Sequence, residues 1–130
     1  MENSVLNKNA LPVFIIIAES LERWKNIGSP EGKEVLQKHY SWLAELKKNG
    51  KLILSGPTDF ELTFTGKINP IGHTTGLIII NEQSREEAEK WATKDPFHTN
   101  EYRRNRVYSM RITATNNSLL NVLENLIIKK

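Results

Sequence analysis

Two segments of this sequence, Val13–Ala18 and Gly76–Asn81, are apolar at every position or nearly so, without the alternation of a half-solvated strand. Short, β-branched runs of this kind are strands covered on both faces. Whatever the chain folds into must therefore supply two layers over one sheet. The chain has 130 residues, enough for one domain and one core, with 38% hydrophobic residues to fill it. The run LPVFIIIA, Leu11 to Ala18, is far too short to span a bilayer. Pro12 and the β-branched residues after it also favour a strand over an export signal, so the expected location is cytoplasmic, with no membrane partner.

The remaining elements follow from local chemistry. Ser29-Pro30 is a capping hydroxyl followed by proline at the first helical position, and Asn49-Gly50 is a helix stop. Between them Val35, His39, Trp42 and Leu46 form one apolar stripe, with Leu36 and Leu43 beside it. Lys51–Ser55 reads as a second strand ended by Gly56-Pro57, and alternating Phe60, Leu62 and Phe64 suggest an inserted hairpin arm. Ser84 with Glu87 is a capping box opening a second helix, which Pro96 ends. Val107–Ala114 is the last strand, and Asn117–Lys130 an amphipathic helix. The order is that of a split βαβ, ferredoxin-like α+β sandwich over residues 1–115, with a helical extension at 116–130. Two main helices cover one sheet face. The other calls for a second protomer or, as competitor, the C-terminal helix; the expectation is a homodimer.

Several functional classes drop out. With no cysteine there is no disulfide framework, thiol chemistry or Cys-based zinc site. A net charge of +3 is too small for a dedicated phosphate-backbone binder, so no nucleic-acid partner is expected. His73 and His98 could join His39 and Asp95 in a metal site on paper, but no HxxxH-type ligand spacing exists, and neither metal nor cofactor is expected. Arg103, Arg104 and Arg106, flanked by Tyr102 and Tyr108, read as a solvated loop and strand edge, with anion steering as the functional alternative. Trp24, Trp42 and Trp91 are expected in the core or an interface, Trp42 being close enough to His39 to line a pocket.

His39 is the residue of interest. Alone on an apolar stripe it is more readily a core histidine with one hydrogen bond. Asp95 lies one helical period beyond Ala88, Trp91 and Ala92, on the same inward face, though alone it reads as a turn or cap. As a pair the two make chemical sense. The carboxylate would fix the imidazole tautomer, and the other ring nitrogen would move a proton near neutral pH.

The stretch Lys38-His39-Tyr40-Ser41-Trp42-Leu43-Ala44-Glu45-Leu46, then Asn49-Gly50-Lys51-Leu52 and Ser55-Gly56-Pro57, resembles the signature of the YCII (YciI-like) family. Ser84 to Ala88, Trp91 and Asp95-Pro96-Phe97 continue it, and the likeness covers roughly Val13 to Ile112. The resemblance implies a dimeric ferredoxin-like fold with a His–Asp pair in an active site, falling here on His39 and Asp95. A few relatives eliminate chloride from hydroxylated rings. The family's glycine a few residues after Asp-Pro is missing in His98–Tyr102, so the turn there should differ. The segment Thr58–Thr75 and the C-terminal helix are additions that would reshape a ligand entrance.

Residues and resemblance together suggest a cofactor-independent acid–base enzyme, of lyase or isomerase type, on a small cyclic or aromatic molecule. His39 would shuttle the proton, Asp95 orient it, and Trp42, Gly56, Pro57 and Phe97 line the pocket. The alternative is a non-catalytic small-ligand-binding or dimerising module in which the pair is structural. A structural pair should be costly to break, whereas a catalytic one at a pocket rim should tolerate Asp95→Asn.

Overall fold

The computed structural model describes residues 11–58 and 75–123. The elements are β1 (Leu11–Ser20), a 3-10 turn (Glu22–Asn26), α1 (Pro30–Lys48), β2 (Leu52–Pro57), β3 (Gly76–Ile80), α2 (Arg85–Lys94), α3 (Pro96–Thr99), β4 (Arg103–Ile112) and α4 (Asn117–Leu123). The four strands form one sheet in the order β2-β3-β1-β4, with every neighbouring pair antiparallel. This is the ferredoxin-like α+β arrangement. The alternating Phe60–Phe64 arm and the helix beyond Leu123 lie outside the described residues.

Local chemistry sets the boundaries of α1. The Ser29 hydroxyl accepts the Gly32 N–H at 3.0 Å, Pro30 stands at the first helical position, and Gly50 follows the helix at φ +71°. Ser84 caps α2 by accepting the Glu87 N–H at 3.2 Å. Pro96 does end α2, but it also opens α3, with Asp95 in extended backbone between the two helices.

Of the strand boundaries that differ from the sequence reading, two bear on the site. Strand β2 runs through Gly56-Pro57, which pair with Leu77 and Gly76. Proline is tolerated there because β2 is an edge strand and needs no ladder bond from that nitrogen. Strand β4 begins at Arg103, because β1 continues to Ser20 and pairs residue for residue back to that arginine.

The two-sided strands now have a plain geometry. Phe14, Ile16, Ile78, Ile80 and Val107 face the helices and pack with Trp42, Leu46, Ala88 and Ala92 in the main core. On the other face Ile15 sits opposite Ile79 and Ile17 opposite Leu77, all half-buried. Leu54, Tyr108 and Met110 are exposed (47%, 40% and 38%). A second cluster, Val35, Phe97 and Tyr102 with Trp24, Ile27 and Leu36, joins α1 to α3. Among the described residues, no helix is long and apolar enough to cross a membrane.

Candidate functional site

The helical stripe of α1 turns His39 toward the α2–α3 junction, where the extended backbone of Asp95 points its carboxylate inward. His39 Nδ1 and Asp95 Oδ1 are 2.7 Å apart, with the histidine 7% exposed and the aspartate fully buried. Two more donors converge on the carboxylate: the Phe97 N–H on Oδ1 and the Asn105 amide on Oδ2, each at 3.0 Å. A carboxylate surrounded by N–H groups can only accept. His39 therefore donates from Nδ1, which leaves Nε2 as the nitrogen available for chemistry.

The ring plane is held by packing. His39 stacks on Phe97, with centroids 4.2 Å apart and planes 21° apart, and Phe97 meets Trp24 edge-on at 5.0 Å. His39 lines a cavity of about 440 Å³, within the range of small-molecule sites. Its apolar walls include Trp24, Leu36, Leu43 and Phe97, with Gly56 and Pro57 on the strand side and Arg103 among the polar groups. A larger hollow of about 490 Å³ lies over α2 and β4, lined among others by Glu89, His98, Arg104 and Arg106. The smaller cavity is the better candidate, because its histidine is bonded to a buried carboxylate that can stabilise its charged form.

Of the pocket residues expected from sequence, Gly56, Pro57 and Phe97 line this cavity. Trp42 does not. Its ring is 5.6 Å from that of His39 but belongs to the main core, and its indole donates to the Trp91 carbonyl at 3.1 Å. The reading of Arg103 as part of a solvated cluster also fails. Arg104 and Arg106 are exposed, whereas Arg103 is largely covered, with its guanidinium carbon 4.1 Å above the Trp24 ring. Tyr102 is fully buried rather than a flanking surface aromatic.

Sequence reasoning missed Asn105 and Trp24, and held a pocket role for Arg103 only as the alternative to a solvated cluster. Asn105 and Arg103 follow from strand parity. Arg103, Asn105 and Val107 share one face, opposite Ser20, Ala18 and Ile16 of β1, but only if β4 starts at Arg103. His73 lies outside the described residues, and His98 uses Nδ1 to accept the Asn105 N–H at 3.0 Å. Burial lowers the His98 pKa, with Asp95 opposing and Arg104 adding to the shift. Among the described residues no three His, Asp or Glu side chains are grouped to hold a metal ion.

Residues 13–111 match the family model described as the YCII-related domain. No curated protein matches the chain significantly. A solved structure similar to it is the 5-chloro-2-hydroxyhydroquinone dehydrochlorinase from Burkholderia phenoliruptrix AC1100, in complex with 2,5-dihydroxybenzoquinone. The two are 21% identical, and the match covers 74% of this chain and 90% of that one with a TM-score of 0.52. At that identity the likeness speaks for the fold.

Proposed function

Because this chain belongs to the YCII-related family, we propose that it is an acid–base enzyme of lyase or isomerase type, using no cofactor, on a small aromatic or cyclic molecule. The observation that carries this reading is the buried 2.7 Å bond between His39 Nδ1 and Asp95 Oδ1 at the wall of a ligand-sized cavity. His39 Nε2 takes a proton from the substrate. Asp95 stabilises the resulting imidazolium through Nδ1–H, and the same nitrogen returns the proton to product or solvent. Elimination and isomerisation both suit a site with one oriented acid–base group and, among the described residues, no evident covalent nucleophile. The aromatic substrate class is carried over from the dehydrochlorinase of similar fold.

The test is turnover of a panel of hydroxylated and chlorinated aromatics, followed by ring absorbance and chloride release. His39→Gln should lower kcat by about 10²–10⁴-fold, the contribution of general acid–base catalysis. Undiminished turnover in that variant would refute the proton-shuttle role.

A second reading has its own support. Asp95 also caps α3 through the Phe97 N–H and is fully buried, as a structural group would be. In that case the chain is a ligand-binding or dimerising module, and the panel is bound without turnover. Under either reading the half-buried Ile15, Ile17, Leu77 and Ile79, with exposed Leu54, Tyr108 and Met110, give the second sheet face to a homodimer packed sheet on sheet.

A further inference from the structure

Arg103 is built into the cavity wall rather than laid over it. Its guanidinium carbon lies 4.1 Å from the Trp24 ring centroid and 5.3 Å from that of Phe97, the ring on which His39 stacks. Its Nε is buried and has no hydrogen-bond partner among the described residues. Gly76, on β3, makes room for the group, since a Cβ there would stand 2.6 Å from Arg103 Nη1. Among the described residues no carboxylate lines this cavity, and Asp95 nearby already accepts three N–H donors.

A largely covered cation whose neighbouring carboxylate, Asp95, is already committed to three N–H donors pays desolvation that is only partly offset. That penalty is visible in Arg103 itself, which burial pushes down to about 10 while the Asp95 charge opposes the shift. The group still stays charged at neutral pH. An anionic oxygen entering the cavity would restore the missing partner. The planar guanidinium, already held on aromatic faces, loses little further freedom in binding it.

We propose that Arg103 is the anion-recognition group of the His39 cavity, and that the ligand is a small planar ring bearing an ionised oxygen, of carboxylate or phenolate type. The oxygen pairs with the guanidinium, and the ring lies among Trp24, Leu43 and Phe97 in the cavity that His39 lines. The site would thereby hold a substrate whose proton is to be moved in a fixed orientation. This rests on the acid–base reading for the purpose of the site, but not for its affinity.

The test is calorimetric titration of the full chain with benzoate, 4-nitrophenolate in mildly alkaline buffer, and neutral benzamide. The wild type should prefer one or both anions to benzamide by about tenfold or more, as expected for a charge-assisted bond. Which anion is favoured separates a carboxylate ligand from a phenolate one. Arg103→Gln should abolish the preference and Arg103→Lys restore part of it. Gly76→Ala, whose Cβ would press on the guanidinium and, at 3.3 Å, on Ala18 Cβ, should weaken anion binding if Arg103→Gln fails to fold. Equal affinity for benzamide, or no binding of any probe, overturns the anion site. A preference for anions that accompanies turnover unaffected by His39→Gln would keep Arg103 and overturn the acid–base reading instead.

Discussion

Asp95→Asn is the most informative single change for the geometry of the site. The carboxylate accepts three N–H groups: His39 Nδ1 and Phe97 N on Oδ1, Asn105 Nδ2 on Oδ2. An asparagine can keep the first two with its carbonyl oxygen, but its amide nitrogen then faces the Asn105 amide, donor against donor. Turning the Asn105 amide over would bring its Oδ1, buried and without a partner, toward the new donor. The same turn sacrifices the 2.9 Å bond from Asn105 Nδ2 to the Ala92 carbonyl. Either way one charge-assisted bond is lost and one buried polar group is left unmatched. With about 1–3 kcal/mol for an unsatisfied buried group, the loss should come to roughly 2–4 kcal/mol. Urea unfolding followed by circular dichroism reads this directly, and the Tm should fall by roughly 10 °C. A loss below about 1 kcal/mol would refute the three-donor account. The tolerance expected of a catalytic aspartate at a pocket rim thus does not apply, because Asp95 is also the cap of α3. Stability alone cannot separate a catalytic pair from a structural one here, and His39 is the side on which to separate them.

Other consequences can be checked singly. Burial would raise the Glu82 pKa, but the Gln83 N–H, the Trp91 indole and Lys51 outweigh it and hold it below its ordinary 4.5. Its contribution is therefore complete above that value and is lost as pH falls through the lower folded value. Glu82→Gln should cost about 1 kcal/mol at neutral pH, with the difference from wild type vanishing in acid unfolding curves. Glu101 holds φ +61° in the turn after α3, where a non-glycine residue is strained. Glu101→Gly should gain about 0.5–1 kcal/mol in thermal unfolding, and a loss would show that the Glu101 side chain stabilises the turn. Ile79→Asp, on the second sheet face, should yield monomers by light scattering where the wild type is a dimer. A wild-type monomer would remove the sheet-on-sheet interface.

The frame of the fold was legible because its signals are local. Ser29-Pro30, Asn49-Gly50 and Ser84 are capping chemistry, and Val13–Ala18 and Gly76–Asn81 are too apolar to be anything but central strands. The His39 half of the His39–Asp95 contact was legible as helical phase on α1, whereas Asp95 reaches the ring not from a helix face but from extended backbone between α2 and α3. What escaped depended on long-range pairing. Nothing in Arg103-Arg104-Asn105-Arg106 says that a strand begins there; β1 extending to Ser20 decides it, and with it which arginine is buried. Trp42 lies in the core, as its stripe suggests, and only its place on the pocket wall fails, for a similar reason. It shares a stripe with His39, but the packing of α2 claims its ring for the core and its indole for the Trp91 carbonyl. In the turn after Asp95-Pro96 the positive φ falls on Glu101 rather than on a glycine.

The central claim is that Asp95 fixes His39 with its proton on Nδ1 and leaves Nε2 to the cavity. Nitrogen-15 correlation spectra of the histidine rings, recorded on the full chain across the neutral range, measure this without a substrate. Neutral His39 is expected to carry its proton on Nδ1, with a hydrogen-bonded shift that Asp95→Asn alters, and an unprotonated Nε2. A neutral ring protonated on Nε2, with a bare Nδ1, would contradict it.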